Sequence, residues 1–331
     1  ACAVAAEHSS VREQLAEAAH AALERGATTR TQGGPWIIGL FLVSGVLGWV
    51  GDRIGRRRSG TPLSNPAMLF ACVAASAILL LLITGGLVTG MKAGLAVPDW
   101  PNSFGHNMLL YPLSAMTGGV YYEHAHRLFG MLVGVTTLVL VGVVFRSESR
   151  VSVRVLAIAL LLAVVVQGLL GALRVTGGFS MSEHRADHEP SLVLGIVHGV
   201  MGQGILAGTV VLAAMLSSGW RRLPAAQAIP GGGTMRGFSI VLIALLIMQL
   251  ILGACYRHLS VRPTEDAPGS GPLWALHGHI TMAAVILILV LMTGFRAKAF
   301  GRDGRVPILP GLGRVLHAVV GVQILLGIGA L

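Results

Sequence analysis

The ten residues YYEHAHRLFG, Tyr121 to Gly130, place a carboxylate, two imidazoles and a guanidinium within five positions, at the mouth of a charge-free run from Leu128 to Phe145. Glu123 stands three residues before His126 and so shares its helix face, about one turn nearer the end. His126 is five residues after Tyr121, His198 seven after Ser191 and His279 six after Leu273, each near the start of an apolar run. At 1.5 Å per residue all three lie about 7–11 Å inside the ends of their segments, in one layer. An ionisable side chain at such depth is costly and usually marks a site. Neutral imidazoles presented from facing helices suit a haem iron. Gly130 and Gly134 follow His126, and Gly195 and Gly199 flank His198. That spacing lets a helix or a flat ring approach the backbone. His124 and His277 stand two residues before His126 and His279, on another helix face, and are second choices for ligation.

Two readings of Glu123 stay open. It ion-pairs with Arg127 or Arg174, or it stabilises a developing cation or moves a proton at the edge of a bound ring. Arg127, Arg174 and Arg257 all fall near the histidine layer, where a guanidinium could bind haem propionates in bidentate fashion. The stretch SEHRADHE, Ser182 to Glu189, could hold zinc or copper, but its spacing makes no helical pair and a solvated loop is the better reading. Cys2, Cys72 and Cys255 form no C-x-x-C motif, so neither thiol redox chemistry nor covalent haem attachment is supported.

Composition says what must position these groups. The chain of 331 residues is 54% hydrophobic and 11% charged, with a mean hydropathy of +0.75. A soluble domain would be about a quarter charged. Apolar runs at 36–50, 68–90, 121–145, 155–173, 191–217, 238–256, 273–295 and 314–331 read as membrane spans, most of them close to the roughly 20 residues that a bilayer requires. The net charge of +10 does not indicate nucleic acid, because it is sorted by side. The connections after the first, third, fifth and seventh spans carry Arg53, Arg56, Arg57, Arg58, Arg146, Arg150, Arg154, Arg221, Arg222, Arg236, Arg296, Lys298, Arg302, Arg305 and Arg314. The opposite side carries Lys92, Arg127, Arg174, Arg185, Arg257 and Arg262. By the positive-inside rule the first set faces the cytoplasm or its equivalent, and the histidine layer faces outward.

Three of the spans share a signature. VQGLLGALRVT begins at Val166, MQLILGACYRH at Met248 and VQILLGIGAL at Val322, giving the pairs Gln167/Gly171, Gln249/Gly253 and Gln323/Gly327. The run ITGGLVTG at 83–90 is related. His198 follows Gln167 by 31 residues and His279 follows Gln249 by 30, which suggests a duplicated helical unit. The expected fold is all-α and polytopic, with two pseudo-repeated four-helix bundles and an extra short N-terminal span. The domains divide as a polar segment 1–35, a short span with basic linker 36–67, a first half 68–217, a linker 218–237 and a second half 238–331. The second half lacks its final helix, so the chain reads as truncated.

GLAVPDWP at 94–101, EHAHR at 123–127, LGALRVTGG at 170–178, the helix around His198 and LGACYRH at 252–258 together resemble the haem A synthase family over about residues 68–331. The resemblance implies two pseudo-symmetric four-helix halves. The first would bind the substrate haem O and the second a haem b cofactor. The implied reaction oxidises the C8 methyl of haem O to a formyl group by successive hydroxylations, for cytochrome c oxidase biogenesis. It implies Glu123 as catalytic carboxylate, His126 and His198 as ligands of the substrate haem, and His279, or alternatively His277, as a haem b ligand. Implied surroundings are a lipid bilayer, either the bacterial cytoplasmic or the mitochondrial inner membrane, with the active site toward the outer face. Haem O synthase, cytochrome oxidase assembly factors and a second copy of the chain are the implied partners. The paired loop cysteines of some members are missing, which fits the cysteine-free type. A non-catalytic dihaem b-type electron-transfer protein is the competing reading. It has no use for Glu123 or the PDWP loop.

Overall fold

A backbone N–H or C=O in hydrocarbon finds no water to bond, so an apolar run crossing lipid folds into a helix that satisfies itself. The computed structural model describes residues 65–176, 191–221, 232–259, 272–302, 306 and 308–329. The polar segment 1–35, the short span expected at 36–50 and the SEHRADHE stretch lie outside the described residues. Among the described residues seven helices are long and apolar enough to cross a membrane. They are α1 (Pro66–Gly90), α2 (Gly118–Ser147), α3 (Val151–Thr176), α4 (Leu192–Leu216), α5 (Gly232–His258), α6 (Leu273–Arg302) and α7 (Leu309–Gly329). The chain is an integral membrane protein of all-helical fold.

Most of these helices outrun the apolar segments read from sequence because a helix need not stop where hydrocarbon stops. Arg146 and Arg174 ride the last turns of α2 and α3, and Arg257 and His258 that of α5. Local chemistry sets the ends. Asn65 caps α1 by accepting from Ala67 N–H at 3.1 Å, with Pro66 in the first turn, where its missing N–H costs nothing. The tight connection between α2 and α3 is clamped by Glu148, which takes bonds from the Arg150 Nε and Nη2 at 3.0 and 2.7 Å.

The helices group into two compact units. Among the described residues the first contains α1, α2, α3 and residues 205–213 of α4; the second contains residues 191–204 and 214–216 of α4 with α5, α6 and α7. Within the first unit α1 packs on α2, and α2 on α3. On α1 the buried positions Ala67, Ala71, Ala74, Ile78 and Val88 continue through Leu81 and Gly85 with alternating steps of four and three. On α2 Phe129, Val133, Thr137, Leu140 and Val144 follow at steps of four, four, three and four. The α1 stripe has the 3.5-residue period of helices crossing at a shallow angle. Lipid tails give no hydrophobic drive between helices, so small residues in the seam supply close van der Waals contact instead. In the second unit Leu242, Ile286 and Val290 form the core, joined by Leu316 and Val320 of α7.

The opposite faces are apolar and exposed, as Val135 at 56% and Leu162 at 60% illustrate. Such a surface on a soluble protein would be a liability, whereas here it faces lipid. Ala71→Leu would force a larger side chain into a seam position that is 0% exposed. It should destabilise by about 1–3 kcal/mol, seen as a lower melting temperature in detergent. Val73→Leu on the exposed face should leave the melting temperature unchanged; equal effects of the two would mean that this seam does not carry the packing.

Candidate functional site

The connection from α1 to α2, residues 91–117, folds back on itself before it meets the helices. Ser103 and His106 exchange backbone bonds at 2.9 and 3.0 Å across the two-residue turn Phe104–Gly105. Both central residues have positive φ, 51° and 76°, as a type I′ turn requires. Glycine takes the second position without strain, but Phe104 does not. The Asp99 carboxylate compensates, accepting the N–H of Phe104 and of Gly105 at 2.8 Å each. The Asp of the PDWP sequence is therefore a turn-forming residue. The neighbouring Trp100–Pro101 peptide is cis.

Helix α2 then clasps this loop with three polar residues near its N-terminal end, Glu123, His124 and Arg127. Glu123 is 3% exposed; its Oε2 accepts the Val97 N–H at 2.9 Å and its Oε1 accepts Arg127 Nη2 at 2.7 Å. Arg127 Nη2 also donates to the Val97 carbonyl at 2.6 Å, and Nη1 donates to the carbonyls of Asp99 and of Asn102. His124, 1% exposed, bonds Ser103 Oγ through Nδ1 at 3.0 Å and lies 4.9 Å from the Tyr111 ring. His124 thus anchors the loop. Burial and the Asp99 charge raise the pKa of the Tyr111 phenol above its ordinary value, keeping it a neutral donor.

His126 faces the other way, toward α1. A Cβ built on Gly85 would fall 2.9 Å from His126 Cε1, so only glycine admits the ring there. The Thr84 hydroxyl donates to the Leu81 carbonyl at 2.9 Å, which leaves its oxygen to accept from His126 Nδ1 at 3.1 Å. The Leu81 carbonyl is also a partner of the imidazole. The Thr84 oxygen, its own proton given to Leu81, needs a proton on Nδ1, so the neutral ring has its lone pair on Nε2, the nitrogen a metal would use. Thr84 and Gly85 escaped the sequence reading as site residues. The signal was the kinship of ITGGLVTG to the Gln–x3–Gly runs.

The remaining candidates fall as follows. His126, His198 and His279 lie eight, six and six residues into α2, α4 and α6, about 12, 9 and 9 Å along their own helix axes. His126 belongs to the first unit, and His198 and His279 to the second. His279 packs on α5, where a Cβ on Gly253 would lie 2.9 Å from its Cε1. His277 is exposed on the other face of α6. Gly195 receives His258 from the end of α5, whose Cε1 would be 3.1 Å from a Cβ there. Arg257 is exposed in the last turn of α5. Arg174 has a buried Nε without a partner, within reach of the Glu123 field.

These features fit a haem. Cβ atoms on Gly130 and Gly134, one and two turns inward of His126 on its own face, would meet nothing. Open backbone beside an imidazole of the right tautomer admits a flat ring, and an orphaned guanidinium nitrogen suits a propionate. Among the described residues no group of three or more His, Cys, Asp or Glu gathers to hold a bare metal ion.

Removing Arg127 would leave a buried Glu123 carboxylate without its counter-charge and release three loop carbonyls. The side chains are 8% and 5% exposed, so Arg127→Ala should cost about 3–5 kcal/mol. Hydrogen exchange of the Val97, Phe104 and Gly105 amides should accelerate, while Arg154→Ala leaves them unchanged. Unaltered protection at Val97 in Arg127→Ala would show that the ion pair does not hold the loop.

Residues 68–264 match the family model described as cytochrome oxidase assembly protein. Heme A synthases of Listeria monocytogenes serotype 4a and Listeria innocua are 36% identical over 101 residues, 30% of this chain and 31% of each relative. That alignment thus spans about a third of the length of the Listeria relatives. The heme A synthase of Halalkalibacterium halodurans is 24% identical over 236 residues, 68% of this chain and 74% of that protein. No solved structure matches the chain. The family match covers more than half of the sequence and contains the α1–α2 loop, the polar end of α2 and the glycine seat of His126, so the chain belongs to the cytochrome oxidase assembly family that includes the haem A synthases.

Proposed function

We propose that this chain is a haem A synthase, a membrane oxidoreductase that converts the C8 methyl of haem O to a formyl group by successive hydroxylations. The observation that carries this reading is the combination at the outer end of α2. There a tautomer-fixed imidazole, His126, stands one turn from a buried, charge-paired carboxylate, Glu123, beneath a folded loop. The relatives named Heme A synthase support it. Haem O would be the substrate, and His126 and His198 the residues that would hold its iron. Haem b is the cofactor on His279, which the contact with Gly253 favours over the exposed His277. Haem iron, when bound, supplies the redox chemistry that no side chain possesses.

The chain's own residues do the rest. Thr84 holds the His126 Nδ1–H and so orients Nε2. Glu123 acts as a fixed carboxylate: Arg127 and the Val97 N–H pair it and hold it stationary. A charge that need not reorganise stabilises positive charge developing beside it. Arg174 meets a propionate with its unpartnered Nε, and Arg257 serves the second haem from the end of α5. The folded loop closes the outer end of the α1–α2 hairpin against water. In this reading the site faces the outer side of the bacterial cytoplasmic or mitochondrial inner membrane. Haem O synthase and oxidase assembly factors are its partners.

One observation favours the dihaem electron carrier: both oxygens of Glu123 already have structural partners. Expression in a host that makes haem O but lacks its own synthase, followed by haem extraction, separates the two. The synthase yields hydroxylated and formyl haems. Recovery of haem O and haem b alone would sink it. Glu123→Gln retains the shape and the Val97 bond but loses the charge. It should keep its haem while product formation falls about 10²–10³-fold.

A further inference from the structure

Two helix hairpins in this chain seat an imidazole in the same way. In α1–α2 His126 lies over Gly85, with the carbonyl of Leu81, four residues earlier, as a partner. In α5–α6 His279 lies over Gly253, with its Nδ1 3.2 Å from the carbonyl of Gln249, again four residues earlier. A glycine that admits the ring and a carbonyl one turn back that takes its proton make the seat. At Gln249/Gly253 the glycine and the spacing of the Gln–x3–Gly signature are thereby explained, but the glutamine side chain is not. Leu81 holds that position in the first hairpin and does without it. Around the third copy, a Cβ on Gly327 would meet open space.

At His279 the glutamine side chain has a definite place. A carbonyl can only accept, so Nδ1 carries the proton and the single in-plane lone pair of the neutral ring is on Nε2. The Gln249 amide nitrogen lies 3.2 Å from that Nε2 and donates to it. Its own Oε1 is buried without a partner. An unsatisfied buried acceptor is unfavourable, so this amide is held by what its N–H₂ does. One lone pair cannot serve an N–H donor and a metal together.

We propose that Gln249 caps the ligand nitrogen of His279: its amide occupies the Nε2 lone pair until iron takes that lone pair, and then swings away. The proposal rests on the reading of His279 as a haem ligand. The cap costs affinity by about one neutral hydrogen bond, while the Gly253 seat and the Gln249 backbone carbonyl continue to orient the ring without it. A residue that merely supported the ring would show the opposite sign on removal.

The test titrates the haem-depleted full-length chain in detergent with haemin, followed by Soret absorbance, in wild type, Gln249→Leu, His279→Ala and the double variant. Gln249→Leu should bind the site tighter by about two- to tenfold, the equivalent of a hydrogen bond. In the His279→Ala background the same change should have no effect. Weaker or unchanged binding in Gln249→Leu overturns the cap, as does tightening that persists without His279. Gln249→Met, which keeps the length and removes the amide, must reproduce the result, so a misfolded leucine variant cannot decide the question. If His279→Ala binds haemin with wild-type affinity and spectrum, it is the ligand reading itself that fails, and the cap with it.

Discussion

A single guanidinium organises the outer end of the first unit. Arg127 reaches from α2 into the α1–α2 loop and donates to the carbonyls of Val97, Asp99 and Asn102 and to Glu123. Loop carbonyls at this depth have no sheet or helix partner, and leaving them dry would cost more than a loop could recover from its few contacts. Arginine solves this because its donors form a rigid planar fork that several acceptors can share. Its charge must then be balanced in place, and Glu123 one turn earlier does so at 2.7 Å. The proposed reactive carboxylate and the anchor of the loop are thus one construction: the loop cannot close without Arg127, and Arg127 cannot be buried without Glu123.

The second constraint is closeness. A membrane seam gains nothing from hiding apolar surface, so α1 and α2 approach through alanines and one glycine. Gly85 is where that closeness becomes specific, because the vacancy left by its missing Cβ is filled by an imidazole rather than by another alkyl group. The same exchange at Gly253 and at Gly195 shows that glycines in these helices serve histidines as much as helix packing. A G-x-x-x-G reading alone cannot distinguish the two uses, since the spacing is the same and only the partner differs.

Hydropathy made the helices legible almost in full, because in lipid the backbone leaves few alternatives. Their ends were less legible: charged residues such as Arg146 and Arg257 continue the helix past the apolar run. The depth of His126 and His279 along their helices could be read from spacing, and so could the kinship of 81–85 to 249–253. The loop could not. Its bonds join Val97 to Glu123, Ser103 to His124 and Asp99 to Arg127 across more than twenty residues. Nothing in the local pattern says that His124 anchors while His126, two positions on, seats against a glycine. The left-handed Phe104 was equally hidden, since its strain is met by Asp99 rather than by a permissive residue. The grouping of residues 191–204 with the second unit also depends on packing, through contacts such as Gly195 with His258.

The two seats show how one structural element can acquire two uses. Glycine and carbonyl fix an imidazole equally well in both hairpins, so the seat by itself does not distinguish reaction from electron transfer. What differs is the charge nearby. Three residues before His126 stands Glu123, ion-paired and roofed by the loop; three before His279 stands Leu276. A fixed anion helps where positive charge builds on a reacting carbon, and it has no corresponding task where an electron only passes through a ring. The second seat instead sets a neutral amide against its imidazole, which regulates access to one nitrogen without altering the field. On the proposed reading, the chemical division between the hairpins follows from side chains one turn away from the ligands, and the ligands themselves could be identical.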